Sequence, residues 1–452
     1  MRKISSREAI TRMQTVVLAA VIIIAAIAGA YYYYTLPGPE TRVVSLQIVP
    51  HHHNVVAMQA ELAAFTAETG IEVQMTSVSL DQEKLMTSLM ADVATYDIMQ
   101  MNDDWIIGAM EYLVPLNDVI PEIYGRGNWT TFSWDMFTLS ETYDWMGEAI
   151  GDIYGEPFTS INEDQLLMVV PNHCDATVMS IYQPDLLEAE GITDPPYTWD
   201  EFLEAAEALH NPPDMYGSTW SGNGRPAYFV WISLFYSTGG TLFTEDMRPN
   251  FNKTETGVAT TQFLIDLSEF CPEGVLSFDR TANIAMLASG KAATGILAWW
   301  SIPSMADPEA SAIVDQYVII TPPYKTVRSE HVGAYGWCIS ENARDMEATE
   351  ELFRWLMRPE RFAATNLGPP GLVEAQDEWW EREDIQEIYG PWQDELQYAV
   401  DHSVGLTPFV GWEECYNVII EELTAAWTGE KTAEEAMQDA AERCIPYLEP
   451  YW

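Results

Sequence analysis

Residues 43–49 read VVSLQIV, an apolar run broken at alternate positions by Ser45 and Gln47, the period-two pattern of a strand. After HHHN, the apolar residues Val55, Met58, Leu62 and Phe65 recur at helical spacing, Gly70 closes the helix, and IEVQM alternates again. This predicts a βαβ unit with the histidines in the loop at the strand's C-terminal end, where open α/β sheets bind ligands. A second helix, from Asp81 through Leu85, Leu89 and Val93, leads to the strand YDIMQM, and Asn102-Asp103-Asp104-Trp105 stands just past it. Thr198-Trp199-Asp200-Glu201 and Thr432-Ala433-Glu434-Glu435 have the spacing of capping boxes, so helices start at both. Pro359 stops the helix MEATEELFRWLMR.

One apolar stretch belongs to no such unit. TVVLAAVIIIAAIAGAYYYY carries no charge and follows Arg2, Lys3, Arg7 and Arg12. That order, basic then apolar then tyrosines, predicts either an outward-facing transmembrane anchor or a signal peptide removed near Ala28-Gly29-Ala30. Both readings divide off residues 1–36 and put the rest outside the cell, as an anchored surface protein or a secreted or periplasmic one. Two sequons, at Asn128 and Asn252, agree with that location.

At 452 residues the chain has material for two lobes. Its 69 acids against 21 Lys and Arg give a formal net charge of -48, which repels phosphate backbones and argues against nucleic acid as a partner. Only six of the basic residues are lysines, and so acidic a surface suits concentrated salt, where screening shortens the repulsion. Five scattered cysteines form no zinc or redox spacing, although Cys415 and Cys444, on two successive helices, could pair in an oxidising compartment.

Across roughly residues 43 to 447 the chain resembles the extracellular solute-binding proteins of ATP-driven importers, specifically the large family that captures sugars and oligosaccharides. The resemblance is carried in order by AELAAFTAETGIEVQM, ATYDIMQMNDDWIIGAMEYLVPLND, VVPNHCDATVMSIYQPDLLEAEGI, TWDEFLEAAEAL, MLASGKAATGILAWW, GAYGWCIS and WTGEKTAEEAMQDAAERC. It implies an α/β, two-lobed periplasmic-binding-protein-like fold of type II with lobes discontinuous in sequence. The first lobe would take 43–175 and 339–372, and the second 176–338 and 373–452. The implied function is capture of a sugar, oligosaccharide or polyol between the lobes by a monomer, which delivers it to ABC permease subunits in the membrane. No metal or organic cofactor is implied.

A pyranose offers a face of C–H groups and a rim of hydroxyls, so its site needs flat aromatic rings and hydrogen-bonding groups. By position the resemblance carries over Asp104 and Trp105, Asn172 and Asp175 at the first crossing, Trp231, Trp299 or Trp300, and Tyr335. Adjacent tryptophans in a strand face opposite sides, so one of Trp299 and Trp300 is expected in the core and the other in the cleft. Trp231, within YFVWISLFY, is read equally as core, and Trp105 has a core reading at a helix start. Asp175 could instead cap a turn, and Trp337 is expected to face the core.

Several features depart from the family. His51-His52-His53 is unusual for the first loop, and His173 stands in the crossing loop facing the same cleft. His52, Asn54 and His173 are therefore added as ligand contacts, with a metal- or other small-solute-binding receptor as the alternative reading. PPGLVEAQ lacks the basic residue that often follows the glycine at the hinge. A secreted carbohydrate-active enzyme ranks third, because the adjacent Asp103 and Asp104 cannot flank a scissile bond and no nucleophile elbow, zinc-protease helix or P-loop occurs.

Overall fold

A computed structural model describes residues 42–50, 52–78, 82–102, 105–122, 138–140, 165–176, 178–244, 246–405, 409 and 411–452. The anchor or signal segment, residues 1–36, lies outside these, and among the described residues no helix is long and apolar enough to cross a membrane.

The first sheet opens as the pattern predicts. Strand β1 (Val43–Ile48) leads through helix α1 (Val55–Thr69) to β2 (Glu72–Ser77), and β1 and β2 pair in parallel. Met58, Leu62 and Phe65 are the buried face of α1, while Gly70 takes a left-handed φ of 76° to end it. Helix α2 (Gln82–Leu89) is shorter than expected and leaves Val93 exposed. Ser88 accounts for the difference: its hydroxyl accepts from the backbone N–H groups of Thr95 and Tyr96, bending the chain toward β3 (Ile98–Asn102).

Two further strands complete a five-stranded sheet of order β2-β1-β3-β10-β6, with β6 (Val170–Ala176) and β10 (Val332–Ile339). Both run antiparallel to their neighbours. A second sheet, β8-β7-β9, is built from β7 (Val178–Tyr182), β8 (Thr294–Ala298) and β9 (Val318–Ile320). The short β4 (Thr138–Ser140) and β5 (Gln165–Leu167) pair separately.

The chain leaves the first sheet at Ala176 and enters the second at Val178, next to the expected crossing at Asp175. It returns earlier than expected. All of β10 belongs to the first sheet, so the second crossing precedes Val332 and does not fall near Ile339. The third crossing is expected at the boundary at 372, in the segment 366–372.

The second lobe stacks helices on its sheet: α3 (Trp199–Leu209), α4 (Gly224–Tyr236), α5 (Ala259–Ser268) and α6 (Arg280–Ala288). Helices α7 (Met346–Leu356) and α8 (Pro359–Thr365) then cover the first sheet, with Pro359 starting α8. Helices α9 (Val373–Glu381) and α10 (Glu383–Tyr389), after the expected third crossing at 372, add Trp379, Ile385 and Tyr389 to a core that holds residues of both sheets, Leu46 and Met99 of the first and Ile181 and Leu297 of the second among them. Helix α11 (Gln393–Asp401) buries Leu396, Ala399 and Val400 in that same core, and α12 (Trp412–Trp427) and α13 (Ala433–Leu448) build the core of the second lobe. Both expected capping boxes are present, at Thr198 with Glu201 and at Thr432 with Glu435.

Cys415 and Cys444 face each other between α12 and α13 as buried free thiols, each sulfur about 4 Å from the other residue's carbonyl oxygen. Their mutual contact, with burial, pushes the Cys415 thiol up.

Candidate functional site

The loop after β1 folds onto the third crossing. Asn54 donates its N–H to the Thr365 carbonyl at 2.8 Å, and Leu367 donates to the His52 carbonyl at 2.9 Å. The Asn54 side chain is spent as the N-cap of α1, accepting from Ala57 at 3.1 Å. The expectation that Asn54 is a ligand contact gives way to this helix-capping role.

His52 and His53 are both buried, in a polar cluster that takes one residue from each crossing. Asn172 of β6 donates to the Asn366 Oδ1 at 3.3 Å, and its amide nitrogen lies 3.3 Å from His53 Nε2. Trp337 of β10 donates its indole N–H to the same His53 nitrogen at 3.2 Å. Indole can only donate, so His53 Nε2 carries no proton and the ring is neutral with hydrogen on Nδ1. Gln100 of β3 links His52 and Asn172, at 3.5 and 3.4 Å. Trp337 is therefore buried as expected, in contact with polar groups. Tyr335, half-buried, packs on His52 with ring centroids 4.1 Å apart. Gly371 in the third crossing presses against the first: a Cβ there would lie 2.6 Å from the Pro171 carbonyl oxygen, so no other residue fits.

The other expected contacts of the first lobe are less exposed to a ligand or lie elsewhere. Trp105, expected as a ligand contact, is buried in the core beside the start of a helix, and that expectation gives way to packing. Asp104 and His51 lie outside the described residues. His173 and Asp175 are placed by backbone in β6, opposite Tyr335 and Gly333. Among the described residues no group of three or more His, Cys, Asp and Glu is placed to hold a metal ion.

On the second lobe, Trp231 is fully buried and donates its indole N–H to Thr261 at 3.0 Å. It is a core residue of α4, and the ligand-platform reading is corrected. Trp299 and Trp300 do divide between core and surface, but β8 ends at Ala298 and the pair sits in a 3₁₀ turn, so the turn and not strand alternation separates them. Trp299 is 0% exposed, whereas Trp300 is half-buried with the Arg280 guanidinium 4.7 Å above its ring centre. Trp300 lines two hollows, one shared with Ser221, Phe229 and Arg280 and one shared with Trp299, Gly368 and Asp384.

Sequence reasoning missed Asp384 and Arg382. Arg382 holds both Asp384 oxygens, at 3.0 and 2.5 Å, and reaches the carbonyls of Ala363 and Asn366 at 2.6 and 2.5 Å. It caps the C-terminal end of α8 and puts a basic group at the hinge that the segment PPGLVEAQ lacks. That guanidinium holds the Asp384 carboxyl below its usual range. The only signal in the sequence was that missing basic residue, which says that a hinge cation must come from elsewhere and not from where. His331, just before β10, is buried between the Phe229 and Tyr236 rings, and burial drives it down to about 3.

Comparison with known proteins agrees with this architecture. A probable amino-acid ABC transporter periplasmic-binding protein of Sinorhizobium fredii is 24% identical over 327 residues, covering 71% of this chain and 70% of its own. A mannitol-binding protein of Pseudomonas aeruginosa is 22% identical over 317 residues, covering 69% and 68%. The maltose-bound MalE3 of T. maritima has the same fold, with a TM-score of 0.72 at 18% identity, covering 89% of this chain and 99% of its own. The family model for bacterial extracellular solute-binding proteins matches residues 51–361, more than half of the chain, and the protein belongs to that family.

Proposed function

We propose that this chain is the extracellular substrate-binding component of an ABC importer, which captures a polyhydroxy solute, a sugar or polyol, between its lobes. It hands the solute to a membrane permease as a monomer, held at the cell surface by its N-terminal segment. The observation that carries the reading is the half-buried Trp300 at the end of β8, an aromatic platform beside Gly368 of the third crossing. Flat rings suit the C–H face of a sugar, and buried hydroxyls need partners, since an unpaired one costs about 1–3 kcal/mol. Maltose and mannitol, in the names of two of the three proteins compared above, support the same class, and the amino acid in the name of the third is why L-glutamate stands among the ligands tested. Delivery then depends on closure, because a permease distinguishes loaded from empty protein only through a difference in lobe arrangement. No step of this cycle requires the protein to change the solute, so no catalytic residue is assigned.

Thermal unfolding of the full chain against D-mannitol, D-glucose, maltose, maltotriose and L-glutamate tests the reading. A ligand of the folded state adds about 2.7 kcal/mol at a hundredfold excess over its dissociation constant. A raised midpoint with any of the first four is the expected result, and a response to L-glutamate alone would overturn it.

A further inference from the structure

Two thiols that the cleft does not use meet inside the second lobe. Cys415 and Cys444 belong to α12 and α13, joined by residues 428–432, and both are free, with no exposed surface. Their placement is reciprocal. Cys415 Sγ stands 4.0 Å from the Cys444 carbonyl oxygen, and Cys444 Sγ stands 3.8 Å from the Cys415 carbonyl oxygen. The two thiols also contact each other, which with burial raises Cys415 above its ordinary range.

Charged groups hold the helix pair in register around them. Arg443, next to Cys444, donates to Glu421 and Glu422 of α12, at 2.6 Å each. Lys431, between the helices, bonds Glu422 on one side and Asp439 on the other. The sulfurs are therefore set against each other by contacts that need no covalent bond. The other described thiols are spent differently: Cys271 faces the Leu267 carbonyl at 3.3 Å and Cys338 the Met99 carbonyl at 3.5 Å. Proteins of this family are extracellular, and outside the cytoplasm paired thiols oxidise and stay oxidised.

We propose that Cys415 and Cys444 close a disulfide that fastens α13 to α12. The oxidant is an external disulfide, carried by a thiol oxidoreductase or by oxidised glutathione. One cysteine thiolate attacks a sulfur of that disulfide and releases one thiol, and the second cysteine attacks the mixed disulfide and releases the other. The two cysteine thiols give up two protons and two electrons, and the external disulfide takes them up as two thiols. Burial sets the order of events. A shielded thiol is a poor nucleophile, so exchange precedes the docking of α13, and the docked helices then shield the bond. The link spans 29 positions and restricts the unfolded chain.

The full chain, refolded from denaturant with oxidised glutathione, is unfolded again in guanidinium chloride with N-ethylmaleimide and digested for mass spectrometry. Two joined cysteines leave three of the five to take the label, and one linked peptide pair should connect Cys415 to Cys444. Any other count, or a linkage between other cysteines, would overturn the proposal and leave the pair as small apolar packing. The thermal midpoint of the refolded chain should fall by several degrees in dithiothreitol. Cys415→Ala should melt at one temperature with or without the reductant, because Cys444 then has no partner. A parent chain indifferent to dithiothreitol, or a Cys415→Ala chain equally sensitive to it, would overturn the fastening role. Should Cys415→Ala fail to fold, Cys444→Ala takes its place, and the label count of the parent chain decides the linkage by itself.

Discussion

The two walls of the cleft are finished to different degrees. On the first lobe, Asn172, Asn366, Gln100, Trp337 and the Nε2 of His53 hydrogen-bond one another in a buried cluster. On the second, Trp299 and Trp300 end in donors with no partner among the described residues. A wall that closes its own hydrogen bonds is a structural fixture and contributes to stability. A wall that leaves them open gives up stability to make room for a ligand, the usual trade at a binding site.

The comparison breaks most severely behind the second wall. Trp231→Ala empties a fully buried site and should cost about 3–5 kcal/mol of stability, read as a lower denaturation midpoint, with the affinity of the remaining folded protein unchanged. A selective loss of affinity would return Trp231 to the cleft. Next, Asn172→Leu removes the hub of the first wall and leaves His53, Gln100 and Asn366 short of partners, at a cost of about 1–3 kcal/mol. Trp300→Ala should do the reverse. With Trp300 half-buried, the fold should hold while solute affinity falls by roughly tenfold, in line with about 0.5–1.5 kcal/mol for an aromatic contact beyond its buried area. If stability collapses and affinity survives, Trp299 and Trp300 have exchanged roles.

The last effect is one of pH. His331 stays neutral in the folded chain down to about 3, against an ordinary value of 6.5. Between those values the unfolded chain takes up a proton that the folded chain refuses, so stability falls as pH drops from 6.5 toward 3. His331→Phe, which can still stack between Phe229 and Tyr236, should flatten that part of the stability profile. An unchanged slope in urea titrations across this range would assign the acid sensitivity to other groups.

Local patterns told the truth about local structure. The β1-α1-β2 unit, the stop at Gly70, both capping boxes and the end of α7 ahead of Pro359 were legible because each depends on residues within a few positions of one another. Helix α2 was overestimated because its end is set by Ser88 bonding to Thr95 and Tyr96, a choice that apolar spacing does not encode. The division of Trp299 from Trp300 was legible in outcome but not in cause, since a turn and not a strand performs it. What escaped was long range. Asp384 reaches Trp300 across more than eighty positions of sequence, and nothing near either residue announces the other. The histidine loop was visible as an anomaly, yet its partners Asn172, Trp337 and Asn366 come from three distant segments, so its meaning appears only once the crossings are assembled.

The backbone bonds from Asn54 to Thr365 and from Leu367 to His52 make the histidine loop and the start of the third crossing a single rigid plate. Any bending of that crossing must then be taken up beyond Leu367, in Gly368-Pro369-Pro370-Gly371. Gly371 is itself pinned against Pro171, and Gly368 stands at the lip of the tryptophan hollow. The pivot and the mouth of the hollow thus share the same short stretch of chain. A change in the backbone of that stretch therefore alters the lip of the hollow and the crossing together.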